Sequence, residues 1–437
     1  MADERSKTLF KYVAPAVMAQ VCFFVFTIVD GIFVGNGVGE TGLGAINITV
    51  PFLMVVYALF MLVSVGGATI TAIRFGRDDK SGANQAFMSS FAIILIIAAA
   101  LMVVGTVLTK PLGYFLGAND TYINYASDYL FWYSAFLIPG SLAVLFQFFG
   151  RNDGSPALVM NAVIISSGLN IFLDWLFIFP FGMGVKGAAI ATGISEIVSF
   201  LIMLRHFTAK KGDLRFKKFR FDKELMKKIF VRGVPEAISQ FSVSVTTICM
   251  NYAALARMGE TGVNSYAVIA YVTPFSWAIF AGVAEGMQPV IGRSYGEKNT
   301  ENLKYYFRLS VIMSFFGSLA VCVGLFFLRG TICRMFGLDA RTLEFTIGAM
   351  PKYSLGFIVM SVTTIISAYL YSTKRTKEAL ILNIMRGIVL NSVIIYIFPR
   401  LFGTDMLWYT LVIYEGIGLI IGLGLMRASE KNGIIYK

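Results

Sequence analysis

The sequence predicts an all-α integral membrane protein, with twelve transmembrane helices in two parallel six-helix repeats. Three observations carry this expectation: a charge-poor composition, twelve apolar runs of spanning length, and a second half that repeats the first. Of 437 residues, 57% are apolar and only 14% charged, against roughly 25% charged in a soluble domain. That balance excludes a soluble enzyme. The net charge of +12 in a soluble chain would suggest nucleic acid. Here the basic residues sit between the apolar runs, so the positive-inside rule explains them and no nucleic-acid partner is expected.

Cutting at charged and glycine-rich punctuation gives spans 11–34, 43–75, 85–108, 127–150, 156–180, 184–206, 229–256, 263–292, 305–328, 351–372, 379–399 and 406–426. The first run is too long for a signal-peptide core and lacks a small-residue cleavage site, so it reads as a span of the mature protein. The termini and alternate loops on their side hold 28 Lys and Arg, the opposite loops hold 8, and Arg386 lies within a span. Both termini are therefore expected in the cytoplasm, in a multi-pass arrangement. The most basic stretch, around Lys210 to Lys228, divides the chain into an N-terminal lobe (1–208), a basic cytoplasmic linker (209–228) and a C-terminal lobe (229–437). Cys22, Cys249, Cys322 and Cys333 show no CxxC and no metal-ligand spacing, and read as packing residues.

A shift of 220 residues places Pro15 on Pro235, Gln20 on Gln240, Gly39-Glu40-Thr41-Gly42 on Gly259-Glu260-Thr261-Gly262, Gly66 on Gly286 and Gly76 on Gly296. With a drift of a residue or two, Asn170 falls on Asn391 and Glu196 on Glu415. Six spans per repeat give both halves the same orientation, a parallel pair of the kind that encloses a midplane cavity.

Ionisable groups at membrane depth are costly, so each is a functional candidate. They are Asp30, Asp174, Glu196, Glu236, Glu285, Arg386 and Glu415. Asn170 with Asp174, and Thr192 with Glu196, are four apart and share a helix face. These groups supply only oxygen, which suits a proton or a small hard cation and not a transition metal. Asn170 and Thr192 also read as helix-helix hydrogen-bonding glue. The counterparts of Asp30 and Asp174 are Met250 and about Ile395, so the scaffold repeats while the aspartates do not, and an asymmetric first-half cation site is expected. Glu236 follows Pro235 and reads either as a cap at the start of span seven or as a cavity group. Arg386 either pairs with Glu285 or snorkels outward. Glu196 and Glu415 read equally as structural or as relay groups.

Several motifs carry nothing. Gly37 to Gly42 fits GxGxxG but follows a membrane helix, and no P-loop for ATP exists. The only histidine, His206, excludes a two-histidine metal site and leaves no histidine-based catalysis. An integral-membrane enzyme would need catalytic groups converging near one interface, and the acidic residues are spread over both halves; no enzyme activity and no cofactor are expected.

The chain resembles the multidrug and toxic compound extrusion (MATE) transporters, in particular the bacterial DinF-like and MepA-like branch. The resemblance covers nearly the whole chain. It rests on Pro15, Gln20 and Val29-Asp30, on Gly66-Gly67 and Gly76, on the stretch from Leu169-Asn170-Ile171-Phe172-Leu173-Asp174 to Gly184-Val185-Lys186-Gly187-Ala188-Ala189-Ile190-Ala191-Thr192, and on Gln288-Pro289-Val290-Ile291-Gly292 with Gly296. It implies a V-shaped pair of lobes in the bacterial cytoplasmic membrane. A monomer would export organic cations or other amphipathic compounds in exchange for protons (H+) or sodium ions (Na+). By motif position, Asp30, Asn170, Asp174 and Thr192 would hold the coupling ion, as metal ligands only if that ion is sodium. Pro15 would be the bend of span one. Gln20, Glu196, Glu236, Glu285, Gln288, Arg386 and Glu415 would belong to a relay or the substrate cavity. The chain departs from the branch at Glu285-Gly286, where Gln-Gly is common, and at Arg293. The alternative within the wider superfamily is a lipid-linked oligosaccharide flippase, but twelve spans and an acidic interior argue against it.

Overall fold

In hydrocarbon an unpaired backbone N–H or C=O costs several kcal/mol, so an open chain crosses a membrane only as helix. The computed structural model describes residues 2–335 and 340–431, except for the side chains of residues 2, 3, 40, 43 and 429–431; every regular element among them is helical. The first half holds α1 (Ala2–Val38), α2 (Glu40–Phe75), α3 (Lys80–Val107), α4 (Thr109–Phe115), α5 (Ile123–Ala135), α6 (Leu137–Asn152), α7 (Pro156–Ile178) and α8 (Gly184–Thr208). The second holds α9 (Lys223–Gly296), α10 (Thr300–Met335), α11 (Ala340–Ser372), α12 (Thr376–Ile384), a π-helical segment (Met385–Leu390), α13 (Asn391–Leu401) and α14 (Thr410–Lys431).

Among the described residues, ten stretches are long and apolar enough to cross a bilayer, and α5 with α6, bent by 54°, forms one broken span more. The 74 residues of α9 would reach about 110 Å if straight, far beyond the ~30 Å hydrocarbon core. The helix breaks at Gly259, where φ is 63° and ψ is −149°, and so supplies two spans. Twelve crossings result, at the places the hydropathy predicted.

The connections after spans one and seven are shorter than expected. Only Gly39 separates α1 from α2, with φ 83° and ψ −174°, and Gly259 does the same in the second half. Both occupy a backbone region open essentially to glycine alone, which explains why this part of the Gly-Glu-Thr-Gly motif recurs. The backbone repeats elsewhere in the same register. Positive φ occurs at Asp78 and Lys298 and at Gly154 and Lys374, each pair 220 residues apart, and at Gly184 and Gly403, 219 apart. Asp79 accepts from the Gly82 N–H at 2.7 Å at the start of α3, as Asn299 accepts from the Asn302 N–H at 2.9 Å at the start of α10.

By packing, the chain forms two compact units, Met18–Ala237 and Met1–Val17 with Ile238–Lys437. Within the first, a Cβ on Gly66 or Gly233 would run into the backbone of Ile229 or Leu62; within the second, a Cβ on Gly282 or Gly286 would run into that of Val17 or Val13. Glycine at these places lets helix backbones meet closely. Gly66 with Gly286, and Val13 with Gly233, are themselves repeat partners.

Glu236 does not cap a helix. It lies thirteen residues inside α9, which begins at Lys223, because the Lys-Glu-Leu-Met-Lys-Lys run before it is already a good helix former. Pro235 withholds one N–H from the helix, as Pro15 does within α1.

Part of the basic linker is fixed on the first unit. Asp153 Oδ1 accepts from the N–H groups of Asp213 (2.8 Å) and Leu214 (3.1 Å), while its Oδ2 lies 2.8 Å from His206 Nε2. Phe216 then packs with Phe87, Phe91 and Phe146 of the first unit's core.

Candidate functional site

The candidate site is built by α1, α7 and α8 of the first unit. Asn170 and Asp174, one turn apart on α7, are 1% and 0% exposed. The Asp174 carboxyl lies within hydrogen-bonding reach of the Asp30 carboxyl on α1. Neither Asp174 oxygen receives a donor among the described residues, nor does Asp30 Oδ1 or Asn170 Oδ1. Asn170 Nδ2 donates to Thr192 Oγ1 of α8 over a long 3.4 Å. Asp30, Asn170, Asp174 and Thr192, grouped in the sequence by motif position, lie near one another here. No ion pair reaches the two aspartates among the described residues, so buried Asp174 and half-buried Asp30 face each other without compensating positive charge.

Small residues on α8 make this possible. A Cβ on Gly187 would touch Phe177 of α7, and one on Gly193 would overlap the ring of Phe136, the residue at the break between α5 and α6. The Gly-Ala-Ala-Ile-Ala-Thr-Gly run is therefore a packing surface that seats α8 against its neighbours. Half-buried Glu196 continues the Thr192 face one turn on. Its carboxylate rests on Gly140 of α6, where any Cβ would collide with Oε2. Gln20 is half-buried on α1, ten residues before Asp30, and Pro15 lies five residues earlier.

In the second unit the polar groups are arranged differently. Met250 and Ile395, the counterparts of Asp30 and Asp174, are 0% and 2% exposed in its apolar core. Arg386 neither snorkels nor pairs with Glu285. It is 5% exposed, and its Nη1 stands 3.2 Å from Glu415 Oε2 and donates to Thr363 Oγ1 at 2.9 Å. The reason is packing: α11, α14 and the π-helical segment converge there, so the nearest carboxylate is Glu415. Asn391 Nδ2 donates to Thr246 Oγ1 at 2.6 Å, which is helix-helix glue. Glu285 is half-buried beside Gly286, and Gln288 is 2% exposed.

Thr363 and Thr364 escaped sequence reasoning, since two threonines in an apolar span carry no signal without their partner. Asp153 did too, because it reads as an ordinary loop charge.

Comparison with known proteins places these observations in a family. Residues 15–176 and 235–397 match the MatE family model, one copy in each repeat. The chain is 26% identical over 439 residues to the multidrug export protein MepA of Staphylococcus haemolyticus, covering 99% of this chain and 95% of that protein. To MepA of Staphylococcus aureus strain MRSA252 it is 27% identical over 416 residues, 93% of this chain and 90% of the other. A solved outward-facing multidrug resistance MATE transporter of the MOP superfamily superposes with a TM-score of 0.92 at 26% identity, over 98% of this chain and 96% of the other. With a doubled family match spanning most of its length, a twelve-span helical fold and two repeats in register, the chain belongs to the MatE family of membrane transporters.

Proposed function

We propose that this protein exports small organic cations and other amphipathic compounds across the bacterial cytoplasmic membrane in exchange for protons or sodium ions, by alternating access. In this reading it acts as a monomer with both termini in the cytoplasm, and it needs no cofactor beyond the coupling ion. The observation that carries the reading is the facing pair Asp30 and Asp174, in which neither Asp174 oxygen nor Asp30 Oδ1 receives a donor. Two carboxyls set against each other at membrane depth, one of them fully buried, cannot both stay charged, so one must take up a proton or the pair must share a cation. Asn170 Oδ1 and Thr192 Oγ1 supply the further oxygens that a small hard cation requires.

An ion drives export only through its differential affinity for the outward and inward states. Filling this site neutralises the carboxyls and lets α1 settle against α7 and α8, while the empty site repels. Pro15 supplies the place where α1 yields, since its ring leaves one helical hydrogen bond unmade. Each charge moved inward is worth about 2.3 kcal/mol per 100 mV, roughly a 50-fold concentration ratio. For a monovalent cationic cargo exchanged one for one, the potential contributes nothing and the ion gradient alone drives export.

The test is uptake of a fluorescent lipophilic cation into inside-out proteoliposomes under an imposed proton or sodium gradient. Wild type should accumulate dye under one gradient, and Asp30→Asn should not. Equal accumulation by both proteins would remove Asp30 from the coupling site, and no accumulation by wild type under either gradient would turn attention to anionic or lipid-linked cargo.

A further inference from the structure

The second unit keeps one membrane carboxylate at a position repeated from the first and meets it with an arginine that the first unit lacks. Glu415 stands 219 residues after Glu196, and Asn391 stands 221 after Asn170. Arg386 Nη1 lies 3.3 Å and 3.2 Å from the two Glu415 oxygens, 2.9 Å from Thr363 Oγ1 and 3.5 Å from Thr364 Oγ1. The Thr363 hydroxyl also hydrogen-bonds Glu415 Oε2. Both charged side chains are buried, Glu415 to 2% exposure.

Three features of the backbone place the guanidinium there. Arg386 is the second residue of the π-helical segment Met385–Leu390, a wider turn of the kind found where a side chain must be re-aimed. Gly418, three residues beyond Glu415 on α14, leaves room for the stem, since a Cβ there would stand 3.1 Å from Arg386 Cβ. Gly387 lies against Ser242 with no space for a Cβ, which seats the segment on α9. Tyr414 of α14, Tyr266 of α9 and Tyr353 of α11 are the other titratable groups packed around this cluster, and none of them brings positive charge.

We propose that Glu415, Thr363 and Thr364 form a second monovalent-cation site whose occupant is tethered to the chain: the guanidinium of Arg386. A carboxylate buried at membrane depth requires a positive partner or a proton. The first unit obtains its cation from solution, whereas the second carries its own. Only the first site then exchanges, and Arg386 sets the number of coupling cations per cargo. This rests on the exchange reading proposed above for Asp30 and Asp174.

Dicyclohexylcarbodiimide, which reacts with protonated carboxyls in apolar surroundings, tests the site without transport. Applied to the folded full-length protein, with peptide mass mapping, it should label Asp30 or Asp174 but spare Glu415 in wild type and in Arg386→Lys. In Arg386→Met, labelling of Glu415 should rise on the order of tenfold, as removal of a buried partner charge demands. Glu415 labelling in wild type equal to that of Asp174, or no rise in folded Arg386→Met, overturns the proposal. If Arg386→Met does not fold, the neutral double variant with Glu415→Gln should; failure of both overturns it in favour of a purely shape-filling arginine. In proteoliposomes the reversal potential of active Arg386→Met should report one more cation per cargo than wild type. Wild-type transport indifferent to both gradients would instead remove the exchange reading, whatever the labelling.

Discussion

In the first unit Asp30 and Asp174 face each other with no donor to the buried Asp174 oxygens among the described residues. In the second unit Met250 and Ile395 stand at the corresponding places, packed into an apolar core, and the Glu415 carboxylate is held by Arg386. The scaffold around both is the same, down to the glycine turns and helix caps at equal register. A duplicated bundle thus keeps its backbone geometry under strong constraint, because every turn and close approach demands it. Its charge balance is free to diverge. The first unit keeps two facing carboxyls with no ion pair among the described residues, and the second keeps a carboxylate already paired with an arginine.

The comparison breaks most visibly at Asp174. Asp174→Asn leaves the ion with no differential affinity to shift the two states, so gradient-driven dye accumulation should fall on the order of 100-fold. The matched change Ile395→Val should leave accumulation within about twofold, since it trims one methylene from an apolar core. Comparable losses in both variants would show that the two units share the coupling work.

The likeness of the units is sharpened by Gly39→Val and Gly259→Val. Each places a β-branched residue in a backbone region nearly closed to it, and should cost about 1–3 kcal/mol in thermal unfolding followed by a thiol-reactive dye or intrinsic fluorescence. A large loss at one and none at the other would mean that the turns are not equivalent.

The smallest expected effect lies in the connection after α3 of the first unit. The Tyr114 hydroxyl of α4 donates to Asp120 at 3.0 Å, and this hydrogen bond holds the phenol above its ordinary value. A raised folded value means that its stabilisation is complete below the ordinary tyrosine range and is lost as pH rises through the folded value. Tyr114→Phe should therefore lower the unfolding temperature slightly at neutral pH, with the difference from wild type vanishing in strong alkali. Because the pair is exposed, the shift should be barely resolvable.

Much of the site was legible because helix periodicity is local. Residues four apart share a face in any helix, so Asn170 with Asp174 and Thr192 with Glu196 could be grouped before any packing was known. Where an inference needed a neighbour from another helix, it had to wait. Glu285 and Glu415 were both open to Arg386 by depth alone, and convergence of α11, α14 and the π-helical segment decided between them. Pro235-Glu236 carries the signature of a helix start, yet the helix had begun at Lys223, where the linker's own propensity extends it. Asp153 is one loop carboxylate among several until the linker folds back onto it.

By itself, the sequence determined the class of the protein, the number and places of its spans, its internal duplication and the oxygen-rich polar face of the first half. Those follow from length, hydropathy and period, which a membrane enforces span by span. The tertiary structure decided which helix opening packs on which glycine, which carboxylate takes the buried arginine, and which carboxyl oxygens are left without a donor. Each of these depends on side chains far apart in sequence meeting at ångström distances, and no local pattern encodes that.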